Sequence, residues 1–385
     1  MILFKNGDVF APEALGKKDV LLGGGKILAI ADSIGISPQK DLEIIDADGL
    51  RMIPGLIDGH IHIAGAGGEG GPQNRTPEMR LSQMLESGIT TVIGCLGTDG
   101  FTRSIESVLM KAKTLRCQGV SAWILTGAYQ IPTPTLLGDV GKDIAMIDEI
   151  IGVGEIAISD HRSSCPTVAE LTRLTAHARV GGMLGGKAGI VNLHMGDATN
   201  PFDIIYQVVQ MSELTLQQFL PTHCNRNHYI FEDAKTYGKE GYVDLTTSSY
   251  KYYPDIEIKP SRGVMLLLDA GVPLGHITMT SDACGSLPIF DDRGNLLKMH
   301  IGSPKTLFDE MIDLVTIEDL PLDKAVQVVT SNMADILKLP QKGRLVPGKD
   351  GDMLLLDKEN RICYMTANGT LMIKNGEIIH PLHFE

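Results

Sequence analysis

Two histidines, His60 and His62, flank a single isoleucine in the segment GLIDGHIH, and the glycine-rich run AGAGGEGG begins two residues later. Residues i and i+2 of a β-strand point to the same face, so both imidazoles are placed to bind one ion. Imidazole nitrogens are favoured ligands of Zn²⁺ and of its neighbours among the divalent transition metals. The motif therefore predicts a metal centre, provided that further ligands meet it in the fold.

Eight short apolar runs divide the middle of the chain, from MIPGLIDGHIH at residue 52 to HITMTSDA at residue 276. Stretches with helical spacing separate them, such as PEMRLSQMLESG and TVAELTRLTAHARVGGMLGG, and both end in glycine as helices commonly do. Eight strands that each precede a helix are the pattern of a (β/α)8 TIM barrel, which carries its functional residues at the carboxyl ends of the strands. We therefore predict an α/β fold of this type.

The two chain ends have a different texture, in which short alternating runs are broken by Gly, Asn-Gly and Asp-Gly turns. Such runs are typical of hairpins. Neither end has enough strands to bury an apolar face alone, so we expect the ends to meet in one small β-sandwich domain. The predicted division gives residues 1–53 and 345–385 to the small β domain and residues 54–344 to the barrel.

Residues suited to metal binding or to polar contacts stand at the ends of most of the eight runs. They are His60 and His62 on the first run, Thr98 after the second, Tyr129 closing the third, Glu155 in the fourth, His194 on the fifth, His223 on the sixth and Asp282 on the eighth. Any one of these histidines alone would ordinarily be a hydrogen-bonded structural residue. Four of them at strand ends, together with a terminal aspartate, predict a metal site instead.

Composition excludes several classes of function. The 385 residues are 43% hydrophobic and carry a formal net charge of −13, without a basic stretch that could neutralise phosphates, so neither nucleic acid nor an anionic membrane is expected as a partner. No apolar run approaches the roughly 20 residues of a membrane helix, and the N-terminus lacks the pattern of a signal peptide. Six cysteines without CxxC spacing indicate reduced thiols and a cytoplasmic location.

Several segments resemble the amidohydrolase superfamily and, within it, the isoaspartyl (β-aspartyl) dipeptidase family. The superfamily likeness lies in GLIDGHIH, NLHMG, PTHCNRN and SDACGS, and the closer likeness in AGGEGGP, LGTDG, LTGAYQIPTPT, AISDHRSS and PIFDDRGNL. These segments run in order through the predicted barrel, and the flanking β domain is similar as well. The resemblance implies a metal-dependent hydrolase, a dipeptidase that cleaves the isopeptide bond of β-aspartyl dipeptides through a metal-bridging hydroxide.

The resemblance also implies two divalent metal ions, with Zn²⁺ as the default for such ligands. His60, His62 and Asp282 would hold the more buried ion, and His194 and His223 the more exposed one. A bridging carboxylate and a bridging hydroxide would join the two ions. Asp282 would take the proton of the attacking water and pass it to the leaving amine.

The chain departs from that family at the bridge. The family places a carboxylated lysine on the fourth strand, whereas Glu155 of GVGEIAISD stands there in this sequence. The charge is the same, but the glutamate is shorter by three bonds, each of which spans a little over about 1 Å. Three alternatives remain open: Glu155 bridges two metal ions, only one ion binds tightly, or Glu155 is a structural residue of its strand.

Substrate contacts follow from the same resemblance. An isoaspartyl dipeptide has one free amine and two carboxylates, and Glu69, with the backbone of Gly67 nearby, would receive the amine. Arginine forks bind carboxylates bidentately, and hydroxyls add further donors. Arg162 and Arg226 are expected to bind the two carboxylates, and Thr98 and Ser286 to add hydroxyl donors at the mouth of the site. Tyr129 would donate a hydrogen bond to the developing oxyanion, and the turn-rich segment 290–296 is positioned to cover the site as a lid.

Two other functions remain open at this stage. The first is a related amidohydrolase acting on a cyclic amide or an N-acyl amino acid, and a neutral ring substrate would not require the charged set of Glu69, Arg162 and Arg226. A metal-free scaffold that acts through protein interaction would have no reason to keep four histidines and two acids as ligands. For the dipeptidase we expect a small-molecule dipeptide as the partner, and the family analogy implies a homo-oligomer, with an octamer as the suggested form.

Overall fold

The computed structural model describes residues 1–37, 40–291, 293 and 295–385. The strands in this part of the chain are β1 (Ile2–Phe10), β2 (Ala14–Gly23), β3 (Lys26–Ala31), β4 (Glu43–Asp46), β5 (Arg51–Pro54), β6 (Leu56–Ile61), β7 (Ile89–Gly94), β8 (Ser121–Thr126), β9 (Ile150–Ile158), β10 (Ile190–Met195), β11 (Phe219–Thr222), β12 (Val243–Thr246), β13 (Ile277–Thr280), β14 (Ser286–Phe290), β15 (Leu296–Ile301), β16 (Met353–Leu356), β17 (Ile362–Ala367), β18 (Thr370–Lys374) and β19 (Glu377–Ile378).

The α-helices in the same residues are α1 (Leu81–Glu86), α2 (Ile105–Cys117), α3 (Val140–Met146), α4 (Val168–Gly185), α5 (Asp203–Gln210), α6 (His228–Tyr237), α7 (Pro260–Asp269), α8 (Lys305–Thr316), α9 (Leu322–Val328) and α10 (Ser331–Ile336). Single 3₁₀ turns lie at Pro72–Asn74, Leu216–Gln218 and Leu274–His276. Among the described helices, none combines the length and the hydropathy that crossing a bilayer requires.

Strands from both chain ends form one nine-stranded sheet. Its order is β19-β18-β17-β16-β5-β1-β2-β3, with β4 beside β1. The junction between the two ends is the antiparallel pair of β5 and β16, in which Met353 lies opposite Pro54. Side chains from both ends, Phe4, Leu22 and Leu355 among them, share one buried cluster on this sheet. Backbone hydrogen bonds thus join strands from the two chain ends in one sheet.

The eight strands β6 to β13 are parallel, and each overlaps one of the eight apolar runs of the sequence. The first six form one sheet in chain order, and β12 pairs with β13. Backbone hydrogen bonds join the two groups on both sides: Cys224 N donates to Asp244 O over 3.1 Å, and Asp282 N donates to His60 O over 3.1 Å. The carboxyl ends of all eight strands consequently face the same side of the molecule.

Each of these strands is followed by one of the helices α1 to α8, which confirms the alternating α/β pattern. The longest helix, α4, has local sequence signals at both of its ends. Thr167 accepts a hydrogen bond from the backbone of Glu170, whose carboxylate accepts one in return from the Thr167 backbone, so the first turn is capped at both partners. Gly186 ends the helix with a φ of 65°, a left-handed conformation that glycine adopts without steric cost.

A hairpin of β14 and β15 follows the eighth parallel strand. The predicted lid, residues 290–296, begins at the last residue of β14 and ends at the first residue of β15. Two residues of that segment, 292 and 294, lie outside the described residues.

Two buried aspartates tie together the strands that carry the site. Asp58 on β6 accepts hydrogen bonds from the Ser281 hydroxyl and, over 3.1 Å, from the Ser281 backbone, so it links β6 to the segment after β13. Burial raises the pKa of Asp58 to about 6. Asp244 on β12 accepts from the hydroxyls of Thr222 and Thr280 at 2.6 Å and of Thr278 at 2.7 Å. Three neighbouring strands are thus held in register beneath the site.

We predict that Thr278→Val lowers the free energy of unfolding by about 1–3 kcal/mol, because it keeps the shape of the side chain but removes a donor to a buried acid. The matched control is Thr91→Val, since the Thr91 hydroxyl is also buried in a strand but finds no hydrogen-bond partner among the described residues. The control should be neutral or stabilising. Denaturant unfolding of the two variants beside the parent measures the difference, and equal stabilities would show that the Asp244 network contributes nothing.

Candidate active site

Four histidines and two acids meet at the carboxyl ends of the parallel strands. They are His60 at the end of β6, His62 just after it, Glu155 within β9, His194 on β10, His223 directly after β11 and Asp282 just beyond β13. All six are buried, with at most 6% of the residue surface exposed. His223 and Asp282 leave their strands with φ values of 62° and 53°. Such left-handed backbone costs a non-glycine residue about 1–3 kcal/mol, and it turns both side chains into the cluster.

Glu155 lies at the centre of this cluster. Its Oε1 is 2.6 Å from Nδ1 of His194 and 3.1 Å from Nε2 of His223. Its Oε2 is 3.5 Å from Nε2 of His60 and 3.7 Å from Nε2 of His62. One carboxylate therefore faces all four imidazoles, with one oxygen directed to each histidine pair.

Two buried oxygens in the cluster lack a hydrogen bond among the described residues, namely Oε2 of Glu155 and Oδ1 of Asp282. Asp282 Oδ1 lies 3.1 Å from Nε2 of His62 and 3.8 Å from Nε2 of His60. Buried acceptors of this kind are normally satisfied, because an unpaired buried charge is costly. Here imidazole nitrogens and carboxylate oxygens converge, and there are too few hydrogen-bond donors in the described part of the chain to pair with them. Such a group of lone pairs is suited to binding a divalent cation. The residues therefore fit the metal site that the sequence predicts.

The cluster also sets the protonation of its members. Burial alone would raise the pKa of the Glu155 carboxyl, but the imidazoles of His60 and His194 outweigh this and hold that pKa well below its usual range. Burial lowers the pKa of His223 to about 3. At neutral pH Glu155 is thus an anion and His223 a neutral imidazole, and these are the forms that bind metal ions.

A second polar group adjoins the cluster and contains four of the residues that the sequence assigned to substrate. Arg162 Nη1 is 3.3 Å from Oε1 of Glu69 and 3.5 Å from Oγ1 of Thr98. The Ser286 hydroxyl donates to the same Glu69 oxygen over 3.1 Å. The second Glu69 oxygen, Oε2, is buried and has no partner among the described residues. An acid, an arginine and two hydroxyls thus meet in one place.

Two further predicted residues, Arg226 and Tyr129, contact the ring of His194. Arg226 Nη1 lies 3.1 Å from Nε2 of His194, and the Tyr129 hydroxyl lies 2.8 Å from Nδ1 of the same ring. Burial raises the pKa of Tyr129 well above its usual range, so the phenol keeps its proton and remains a donor.

Gly67 has a structural reason to be glycine. Its φ is 76°, and a Cβ at this position would come within 2.5 Å of the backbone oxygen of Asn74. The backbone at Gly67 therefore packs closely against the backbone at Asn74, and Glu69 lies in the loop between these two residues.

Two residues of the site were not in the predicted set. Asp160 accepts a paired interaction from Arg162, with Nε to Oδ1 at 3.0 Å and Nη2 to Oδ2 at 2.9 Å, and it also lies 2.9 Å from Nε2 of His194. Cys95, directly after β7, is fully buried with its Sγ 3.8 Å from Nε2 of His60. The only sequence signal for Cys95 was its place at the end of the second apolar run.

A parallel-stranded α/β fold with histidines and acids at the strand ends is the arrangement of the amidohydrolases, and the amidohydrolase family matches residues 231–382. Two solved structures of the β-aspartyl dipeptidase from Fervidobacterium islandicum AW-1 cover 100% of this chain, one at 40% identity with a TM-score of 0.94 and one at 38% with 0.90. They are covered to 98% and 100% in turn, and the first was determined in complex with the β-Asp-Leu dipeptide. The chain belongs to this β-aspartyl dipeptidase family of amidohydrolase enzymes.

More distant matches share the fold. D-hydantoinase (dihydropyrimidinase) from Thermus sp. is 16% identical, with a TM-score of 0.73 over 99% of this chain and 97% of that one. A curated relative, the adenine deaminase of Halalkalibacterium halodurans, is 22% identical over 99% of this chain, which spans only 58% of that protein's length. At these identities the matches support the architecture and not a substrate.

We predict that Glu155→Gln weakens metal binding by at least about 100-fold, since it removes the charge that all four imidazoles face, and losing even an outer partner of a metal ligand costs about 10–100-fold. The control is Glu310→Gln, which alters another buried glutamate, on α8, whose carboxylate accepts from the Ser261 backbone at 2.9 Å. Equilibrium dialysis against zinc measures both variants. If the Glu155→Gln variant bound as much zinc as the parent, Glu155 would not be a metal ligand.

Proposed function

We propose that this protein is a binuclear metal-dependent dipeptidase that cleaves the isopeptide bond of β-aspartyl dipeptides. The observation that carries the proposal is the group of Glu69, Arg162, Thr98 and Ser286 beside the histidine cluster, with a buried Glu69 oxygen still unpaired. A substrate with both a free amine and carboxylates suits such a pocket. The relative from F. islandicum, which was solved with β-Asp-Leu, supports the same substrate class.

For the architecture, we propose that β6 to β13 close into a (β/α)8 barrel over residues 54–344. The hydrogen bonds that join β13 to β6 and β11 to β12 support this closure. Residues 1–53 and 345–385 would form the small β-sandwich domain, an assignment supported by their shared sheet and shared apolar cluster.

For the metal centre, we propose two divalent ions, with Zn²⁺ as the native metal. His60, His62 and Asp282 would hold one ion and His194 and His223 the other, and Glu155 would contact both. The division of the Glu155 oxygens between the two histidine pairs supports this assignment over the two alternatives in which Glu155 binds one ion or none. Such ions, when bound, lower the pKa of a water molecule and polarise the amide carbonyl.

The side chains around this centre would orient the dipeptide. Glu69 would bind the α-ammonium group, with the Gly67 backbone nearby, since a buried carboxylate oxygen without a donor favours a cation. Arg162 and Arg226 would bind the two carboxylates, to which guanidinium forks are matched. Thr98 and Ser286 would add hydroxyl donors at the same place.

Asp282 and Tyr129 would carry out the proton and charge steps. Asp282, which is buried beside the histidines, would accept the proton of the attacking water and return it to the leaving amine. Tyr129, which keeps its proton, would donate a hydrogen bond to the carbonyl oxygen as negative charge develops there. Such a donor typically contributes about 3 kcal/mol in the transition state.

We further propose a cytoplasmic homo-oligomer, with an octamer as the form suggested by family analogy. All six cysteines are free, which agrees with a reducing compartment. Size-exclusion chromatography with light scattering tests the assembly.

We predict that the zinc-loaded protein hydrolyses β-Asp-Leu at least about 100-fold faster than α-Asp-Leu near pH 8, because only the β-linkage brings the amide to the metals while the amine reaches Glu69. Separation of the products by chromatography measures both rates. Cleavage of neither peptide by protein with bound zinc would overturn the substrate assignment and leave a sister amidohydrolase acting on another amide.

We predict that Glu69→Gln lowers kcat/KM for β-Asp-Leu by about 100-fold or more with zinc content unchanged, since an ammonium group would then be buried without its counter-charge. Glu240→Gln, at an exposed glutamate, is the control and should behave as the parent. Loss of zinc from Glu69→Gln would mean that this glutamate belongs to the metal cluster and not to the substrate pocket.

A further inference from the structure

Cys95 lies against the first histidine pair and has no part in the function proposed above. Its Sγ is 3.8 Å from Nε2 of His60 and 3.9 Å from Nδ1 of His62. One ligand atom from each of His60, His62, Cys95 and Glu155 lies within 4.8 Å of all the others, and all four residues are buried. The Cys95 thiol therefore belongs to the same cluster of potential metal ligands as His60, His62 and Glu155.

The backbone fixes the position of this thiol. Cys95 N donates to Ile61 O over 3.1 Å, and Glu155 N donates to Leu96 O over 3.4 Å. The segment is thus held between the strands that carry the histidine pair and the glutamate. A Cβ on Gly97 would come within 2.9 Å of Cε1 of His62, so this backbone lies directly against the imidazole. Cysteine has a single side-chain torsion before its sulfur, so the fixed backbone leaves Sγ little freedom.

The spacing of these donors is close to the spacing of ligand atoms around one zinc ion. Ligand atoms that lie about 2.0–2.3 Å from a tetrahedral Zn²⁺ are separated from one another by about 3.3–3.6 Å. In the cluster His60 Nε2 is 3.5 Å from Glu155 Oε2 and 3.8 Å from Cys95 Sγ. Both separations are close to those values, so the sulfur lies within reach of the ion that His60 and Glu155 would hold, in addition to Asp282.

An unpaired buried oxygen of Glu155 also lies in this cluster. Glu155 Oε2 is buried, faces His60 and His62, and has no hydrogen-bond partner among the described residues. The other two buried thiols on strand ends differ from Cys95. Cys224 Sγ lies against the backbone oxygen of Pro221 at 3.4 Å, and neither Cys224 nor Cys284 is in a group of potential metal ligands in the described part of the chain.

We propose that the Cys95 thiolate is a ligand of the metal ion held by His60 and His62. This inference rests on the metal centre proposed above and adds sulfur to its nitrogen and oxygen ligands. A thiolate is a soft donor that favours Zn²⁺ and discriminates against Mg²⁺ and Mn²⁺, which prefer oxygen. Cys95 would therefore help to select the metal that the protein carries.

The first test is the absorption spectrum of the cobalt-substituted full-length protein, because a thiolate bound to Co²⁺ gives a charge-transfer band in the near ultraviolet that nitrogen and oxygen ligands do not give. We expect the band in the parent and in Cys224→Ser, and its loss in Cys95→Ser. Zinc affinity, measured by competition with a chelator, should fall by at least about 10-fold in Cys95→Ser and stay unchanged in Cys224→Ser.

Cobalt bound without the band, or a band that persists in Cys95→Ser, would overturn the role of Cys95 and leave the proposed function intact. A parent protein that binds neither cobalt nor zinc would overturn the proposed function itself. X-ray absorption of the zinc-loaded parent needs no variant, so it decides the matter even where Cys95→Ser does not fold. It should show a sulfur shell at about 2.3 Å, and a shell of nitrogen and oxygen alone would contradict the proposal.

Discussion

The structure depends on one buried anion. Glu155 is 1% exposed, sits among four imidazoles, and keeps one oxygen without a hydrogen bond among the described residues. A carboxylate in such a place is expensive unless cations surround it. The parallel strands bring the four histidines to it from three strand ends, those of β6, β10 and β11. Asp58 links β6 to the segment after β13, and Asp244 links β11, β12 and β13. The arrangement of the histidines around Glu155 thus places potential metal ligands on both sides of that charge.

Next to the cluster, acidic and basic side chains alternate along a series of contacts. Arg162 is held by Asp160 on one side and reaches Glu69 on the other, while Asp160 also touches His194. A single chain of contacts thus runs from the proposed metal ligands to the proposed substrate pocket. Because each member is buried or half-buried, changing one charge alters the electrostatic environment of its neighbours. This coupling connects recognition of a charged dipeptide with the geometry of the reacting centre.

Sequence patterns predicted the elements and most of the cluster for physical reasons. His60 and His62 were found because strand periodicity places them on one face, and α4 because Thr167, Glu170 and Gly186 are local capping signals. Long-range relations were harder. The thiol of Cys95 and the pairing of Asp160 with His194 depend on how neighbouring strands stack, and no local pattern in the sequence encodes that. The tight fold at Gly67 was equally hidden, since it depends on the backbone of Asn74.

The central claim is that the Glu155 carboxylate joins two metal ions. The most direct measurement is anomalous diffraction at the zinc absorption edge from crystals of the zinc-loaded protein. We predict two peaks about 3.5–4 Å apart, one beside each histidine pair, with one Glu155 oxygen directed to each. A single peak, or two peaks with Glu155 in contact with neither, would contradict the account.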